Sequence, residues 1–269
     1  MLDKVARDGL VLLGCGKMGS ALLAGWLAAG VPKAAVWVIE PAPSAWLQSL
    51  GVHLNEGVPP VPAVALLAVK PQMMGAALPA LQALGNGTTL MVSIAAGTTI
   101  ATLEAAFGAR TPIVRTMPNT PAMVGRGITG ICGNAHAGAE GLALARSLMS
   151  AVGQVVDLDG EHQIDAVTAV SGSGPAYVFH LIEAMAQAGV AVGLSEPVAM
   201  QLARATVCGA GELAWQSDET AAQLRVNVTS PGGTTAAALA VLMQPDTGLS
   251  AVLRRAVQAA ADRGRELGR

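Results

Sequence analysis

Charge is scarce in this chain: 13% of its 269 residues are Asp, Glu, Lys or Arg, and the formal net charge is −2. A protein that grips nucleic acid needs a basic face to displace counterions from phosphates, and no such excess is encoded. Aromatic residues make up only 3%, so any core must be built from aliphatic side chains. Cysteine is limited to Cys15, Cys132 and Cys208, odd in number and without CxxC spacing. That pattern is expected of reduced thiols in the cytoplasm, packed as small apolar groups. His53, His136, His162 and His180 are scattered without ligand spacing, so no metal site is expected. No apolar run reaches the length of a membrane span, because Gly, Pro and Ser interrupt each candidate. Lys4 and Arg7 ahead of residues 10–13 and Cys15 loosely mimic a lipoprotein signal. The apolar stretch is shorter than the roughly 7–15 residues such a core requires, which argues against that role.

What the chain has in abundance is apolar residues, at 52%. Such a surplus in a soluble protein is expected to be covered in a large subunit interface. Short β-rich runs at 10–13, 35–39, 64–69, 90–94, 113–116, 128–132 and 154–158 alternate with helical stretches. Most are apolar without alternation, as strands covered on both faces should be. Met18, Leu22, Leu23, Trp26 and Leu27 form one apolar face at helical spacing. Alternating β and α units predict an α/β domain with a doubly wound, largely parallel sheet. After Glu161 only helices are legible, at 175–188, 197–215, 234–243 and 248–267. Ser195 is the expected N-cap of the second, with Glu196 and Pro197 in its first turn. The expected division is therefore an α/β domain over 1–160 and an all-α domain over 161–269.

The first strand runs directly into Gly14-Cys15-Gly16-Lys17-Met18-Gly19, a G-x-G-x-x-G loop opening a helix. Gly14 permits the tight turn, Gly16 lets a pyrophosphate approach the backbone, and Gly19 permits close helix packing. The helix N-terminus then offers free amides and a positive dipole to the anion. This is a dinucleotide site of the Rossmann type, with NADPH or NADH as the expected cofactor. Glu40 ends the next strand, about 20 residues on, where a carboxylate accepts from the adenosine ribose hydroxyls. It would repel a 2′-phosphate, and Lys70 is the only Lys or Arg between Glu40 and Arg110; the expectation tilts towards NADH.

Further segments occur in a fixed order along the chain. They are Ala68-Val69-Lys70-Pro71, Ser93-Ile94-Ala95-Ala96-Gly97, Met117-Pro118-Asn119-Thr120-Pro121, Ser171-Gly172-Ser173-Gly174-Pro175-Ala176-Tyr177 and Ser230-Pro231-Gly232-Gly233-Thr234-Thr235. With the glycine loop, they resemble the pyrroline-5-carboxylate reductases across essentially the whole chain. The resemblance implies a Rossmann-type N-terminal domain followed by an all-α dimerisation domain that interlocks with a second subunit. It places the active site at the dimer interface and admits rings of dimers. The implied reaction is hydride transfer from NADPH or NADH to 1-pyrroline-5-carboxylate, giving L-proline. By the same resemblance Thr234 and Thr235 contact the substrate, Glu161 aligns with a substrate-contacting position, and Asn227 approaches the cofactor.

The chemistry of these segments agrees. Exposed amides at Gly232 and Gly233 ahead of a helix, with the Thr235 hydroxyl, suit a small carboxylate; helix capping by Ser230 is the alternative. Ala68, Val69, Lys70 and Pro71 sit where adenosine and ribose would lie, with Lys70 adding charge near the phosphates. Ile94, Ala95, Ala96 and Gly97 leave room for the nicotinamide ribose. Asn119, Thr120 and Pro121 form a rigid polar turn, either near the nicotinamide or purely structural. Thr235 is the candidate for a hydrogen bond to the substrate ring nitrogen, assisting proton delivery. Val226 after Arg225, and Asp218 where Glu is common in relatives, are departures that touch the detail of the loop before Asn227.

Rival readings are less well supported. A β-hydroxyacid dehydrogenase shares the glycine loop but needs a catalytic lysine in its helical domain, and no lysine follows Lys70. A short-chain dehydrogenase needs Tyr-x-x-x-Lys, whereas the sole tyrosine, Tyr177, is followed by Leu181. A non-catalytic nucleotide-binding regulator would have no use for the Gly-Gly-Thr-Thr turn.

Overall fold

The computed structural model describes residues 2–268; Met1 and Arg269, the outer ends of the expected domains, lie outside the described residues. The chain begins with α1 (Leu2–Asp8), β1 (Leu10–Leu13), α2 (Lys17–Ala28), β2 (Val36–Ile39), α3 (Ala45–Ser49), β3 (His53–Leu54) and β4 (Val64–Leu67). It continues through α4 (Met74–Ala77), β5 (Leu90–Ser93), α5 (Ile100–Phe107), β6 (Ile113–Met117), β7 (Gly127–Gly133), α6 (Gly138–Met149) and β8 (Gly153–Asp157). Only helices follow: α7 (Ile164–Val167), α8 (Gly174–Ala191), α9 (Glu196–Gln216), α10 (Ala221–Asn227), α11 (Thr234–Leu242) and α12 (Leu249–Leu267). The chain divides into two compact units, one running to Gly172 and taking back the chain from Ala260, the other Ser173–Ala259.

In the first unit the described strands form one sheet of order β3-β2-β1-β4-β5-β6-β7-β8. All neighbours are parallel except β6 and β7. A crossover of about a dozen residues or more is needed to return a parallel strand. Between β6 and β7 there is only a tight 3-10 turn at Thr120–Val124, so the chain must reverse and pair antiparallel. Successive residues of a strand point to opposite faces. Leu10, Leu12, Val64 and Leu66 therefore pack with Leu22, Trp26 and Leu148 on one side. Val11, Leu13, Ala65 and Leu67 pack with Leu81, Leu103 and Phe107 on the other. Double coverage explains why these strands read as continuous apolar runs. Trp26, fully buried, donates its indole N–H to the Leu148 carbonyl at 3.0 Å, which satisfies its polar atom in the core.

The sequence pattern did not mark α1, the two-residue edge strand β3, or α10. β3 is too short to show a period. α10 is a short helix started by Thr220, whose side chain accepts the Gln223 amide at 3.2 Å. Ser195 does stand at the N-cap of α9 in the extended geometry usual there, though its side chain makes no capping bond.

The Ser173–Ala259 unit has a small core of its own. Ala186, Ala199 and Ala203 are buried, with Ile182 and Met200 packed against them. Phe179, Leu202, Leu213, Trp215 and Val241 are exposed. These three alanines with Ile182 and Met200 bury little apolar area, and the large exposed apolar side chains are the kind of surface that meets another chain.

Candidate cofactor cleft and anion turn

The reversal of strand order lies between β1 and β4, and there the carboxyl ends of the strands open a cleft. Leu13, Gly14, Gly16, Ile39, Glu40, Ala68, Val69 and Lys70 line a cavity of about 440 Å³, closed on its apolar side by Met73, Ala76, Ala77 and Ala80. Each glycine of the loop meets a separate demand. Gly14 has φ +89, and a Cβ there would lie 2.8 Å from the Val69 side chain and 2.9 Å from the Ala68 carbonyl oxygen. A Cβ on Gly19 would come within 2.6 Å of the Gly14 carbonyl oxygen, so helix and strand could not approach as they do. At Gly16, among the described residues, no atom beyond its chain neighbours lies within 4 Å of a Cβ position, which faces open space beside the N-terminus of α2. Among the described residues no side chain caps that helix end. Backbone access and an uncapped helix dipole suit a pyrophosphate.

Glu40 sits at the end of β2 with both carboxylate oxygens engaged by main-chain amides. Cys15 N–H donates to Oε2 at 2.7 Å and Ala42 N–H to Oε1 at 3.0 Å. Cys15 touches the cleft only through its amide hydrogen bond to Glu40, while its buried thiol, pushed up chiefly by burial, lies 3.4 Å from Ser20 Oγ. Lys17 and Lys70 are exposed beside the cleft and Met18 is half-buried. Lys70 stands at the start of the Pro71–Met73 turn.

Ile94, Ala95, Ala96 and Gly97 follow β5, the next strand out from the cleft. Ala95 N–H is held by the buried Ser93 hydroxyl at 3.2 Å. Gly97 has φ +74, and a Cβ there would press on the Leu267 carbonyl at 2.9 Å. Asn119 is buried and its side-chain oxygen accepts the Ile128 amide at 2.9 Å, tying the turn to β7. Glu161 accepts from the Ile100 amide at 2.7 Å and from Arg115 Nη1 at 2.6 Å through one oxygen. Sequence reasoning named Glu161 but missed Arg115, whose signal is a lone cation in the apolar run of β6.

In the second unit, Gly232 adopts φ +68 and the Gly233 amide closes a turn onto the Ser230 carbonyl at 3.0 Å. Gly233 is the N-cap of α11, and no side chain caps it. Ser230 therefore shapes the turn through its main chain and leaves the first-turn amides without a side-chain cap. Thr234 is exposed and Thr235 half-buried there. Asn227 ends α10, its amide group held by Glu219 at 2.9 Å and Gln223 at 2.8 Å. Among the described residues, no cluster of His, Cys, Asp or Glu is arranged to hold a metal, and no helix is long and apolar enough to cross a membrane.

Sheet order, glycine loop and cleft define a dinucleotide-binding α/β protein. A family model described as pyrroline-5-carboxylate reductase dimerisation matches residues 161–267, and one described as NADP oxidoreductase, coenzyme F420-dependent, matches residues 10–97. The chain is 42% identical over 264 residues to the pyrroline-5-carboxylate reductase of Pseudomonas aeruginosa, covering 96% of each. With that of Haemophilus influenzae it shares 37% identity over 264 residues, 96% of this chain and 97% of the relative. Among solved structures, a pyrroline-5-carboxylate reductase from Coxiella burnetii superposes with TM-score 0.89 at 33% identity, across 97% of this chain and 99% of that one. The Plasmodium falciparum pyrroline carboxylate reductase with NADP bound gives 0.82 at 30% identity, across 98% and 99%. The chain belongs to the pyrroline-5-carboxylate reductase family.

Proposed function

We propose that this chain reduces 1-pyrroline-5-carboxylate to L-proline with NADPH or NADH, the final step of proline biosynthesis. The observation that supports this best is a pair of main-chain anion grips in a member of this family: the glycine loop at α2 and the uncapped Gly232-Gly233 turn at α11. When bound, the reduced nicotinamide supplies a hydride to the imine carbon. The chain's own residues then have to hold, orient and exclude water. Gly14, Gly16 and Gly19, with the amides of Lys17 and Met18, receive the pyrophosphate, and Glu40 receives the adenosine ribose. Ala68, Val69, Lys70 and Pro71 border the adenosine, while Ile94, Ala95, Ala96 and Gly97, with Asn119 and Asn227, serve the nicotinamide end.

Gly233, Thr234 and Thr235 grip the substrate carboxylate through charge-assisted hydrogen bonds, and Glu161 acts on the substrate side. The hydroxyl of Thr235 hydrogen-bonds the ring nitrogen, which carries the proton in the product amine. A protonated imine is already a good hydride acceptor, so no separate acid–base pair is needed.

The working form is a homodimer in the cytoplasm with interlocked helical units, able to build larger rings. The small alanine core of the Ser173–Ala259 unit and its exposed Phe179, Leu202 and Trp215 support this assembly. The test is loss of reduced-nicotinamide absorbance on adding pyrroline-5-carboxylate, with β-hydroxyacids as controls. Oxidation by the cyclic imine alone supports the reading; oxidation–reduction of hydroxyacids alone would refute it.

A further inference from the structure

The glutamate at the end of β2 is not a solvated surface carboxylate. Its side chain is pinned at both oxygens by the amides of Cys15 and Ala42, and its main chain is pinned by a residue outside the glycine loop. Glu40 N–H donates to Asn55 Oδ1 at 2.9 Å, and Asn55 Nδ2 donates back to the Glu40 carbonyl at 2.9 Å. Asn55 follows edge strand β3 in the left-handed region, at φ +57, with its own amide on the Val38 carbonyl at 2.9 Å. Short amide side chains are among the few that tolerate that conformation. β3 is in turn fixed to β2 by the register pair Trp37–His53, whose rings stack with centroids 4.5 Å apart.

We propose that Asn55 is a positioning residue that, by clamping Glu40, makes this chain discriminate against the 2′-phosphate of NADPH. This rests on the dinucleotide reading of the cleft. A carboxylate offers about four lone-pair directions. Two are taken by the Cys15 and Ala42 amides, leaving one on each oxygen for the 2′- and 3′-hydroxyls of an adenosine ribose. A 2′-phosphate brings up to about two negative charges to the same place. An unrestrained glutamate would swing into water to admit it. Here the swing would cost both amide bonds at once, and among the described residues lining the cavity itself Lys70 is the one cationic side chain.

The test is the ratio of dissociation constants for NADH and NADPH, read from nicotinamide fluorescence with the full chain. The wild type should bind NADH at least tenfold more tightly. Asn55→Gly keeps the left-handed backbone without strain but removes both side-chain bonds, and should bring the ratio below threefold. In steady state it should raise KM for NADH and leave kcat within twofold. Glu40→Gln, which removes the charge itself, should collapse the ratio as well. A wild type that binds NADPH as tightly as NADH, or an Asn55→Gly variant that keeps the wild-type ratio, overturns the clamp. If the ratio behaves as stated while pyrroline-5-carboxylate is not reduced, the proposed reaction falls and the clamp stands.

Discussion

Glu161 and Arg115 form an ion pair at 2.6 Å in which the arginine side chain is 5% exposed and the glutamate 32%. The same carboxylate oxygen holds the Ile100 amide at the start of α5. The guanidinium is buried in the sheet, and among the described residues Glu161 is the carboxylate that pairs with it. The carboxylate in turn ties the segment after Gly97 to the helical turn at residue 161.

Removing one partner of such a pair leaves the other charge without compensation. Glu161→Ala should therefore lower stability by about 2–4 kcal/mol, towards the smaller end because the glutamate is partly solvated. Replacing both residues, as Arg115→Met with Glu161→Leu, should restore most of that loss. Urea unfolding at unchanged slope measures it; a loss under about 1 kcal/mol in the single variant would show that the pair is not structural.

Gly16 and Gly19 should separate binding from folding. Ala at Gly16 meets no protein atom, so stability should change by no more than about 1 kcal/mol, the scale of a helix N-cap effect. Cofactor affinity should fall at least tenfold, since the new methyl occupies the approach to the backbone. Ala at Gly19 would strike the Gly14 carbonyl and should lower both. Isothermal titration beside thermal unfolding distinguishes the two; a Gly16→Ala protein with normal affinity contradicts the cradle.

The thiol of Cys132 is pushed up to about 11, mainly by burial, with Arg115 drawing it partly back. In the unfolded chain it ionises near its ordinary value of 9.0. A raised folded value means stabilisation that is complete below about pH 9 and is lost as pH rises towards 11. Wild type and Cys132→Ala should thus differ by a constant amount up to about pH 8. Their difference should shrink by on the order of 2 kcal/mol by about pH 11. Parallel stability curves across that range would contradict it.

Much of the cofactor cleft was legible because its demands are local. Gly14, Gly16 and Gly19 must lie at fixed spacing between a strand and a helix, and Leu10–Leu13 and Leu22 to Trp26 announce both elements through their apolar pattern. The Gly232-Gly233 turn was readable for the same reason. Asn55 was not, since its partners are the main-chain atoms of Glu40, which carry no side-chain signal, and β3 is too short to reveal its pairing. Helical spacing located the elements after Glu161 but not what they pack against. Ile164 is buried with Met117 and Cys132 of the sheet unit, a long-range contact that periodicity alone does not encode. The surplus of apolar residues was visible as composition. Its concentration on the Ser173–Ala259 unit emerged only with the fold.

The most direct measurement of the proposed chemistry follows hydride from donor to product. Cofactor deuterated at the reactive nicotinamide C4 position is incubated with the chain and pyrroline-5-carboxylate, and the proline formed is examined by mass spectrometry and NMR. The account predicts proline carrying a single deuterium at C5, formed in step with cofactor oxidation. Unlabelled proline, or cofactor oxidised without proline appearing, would contradict it.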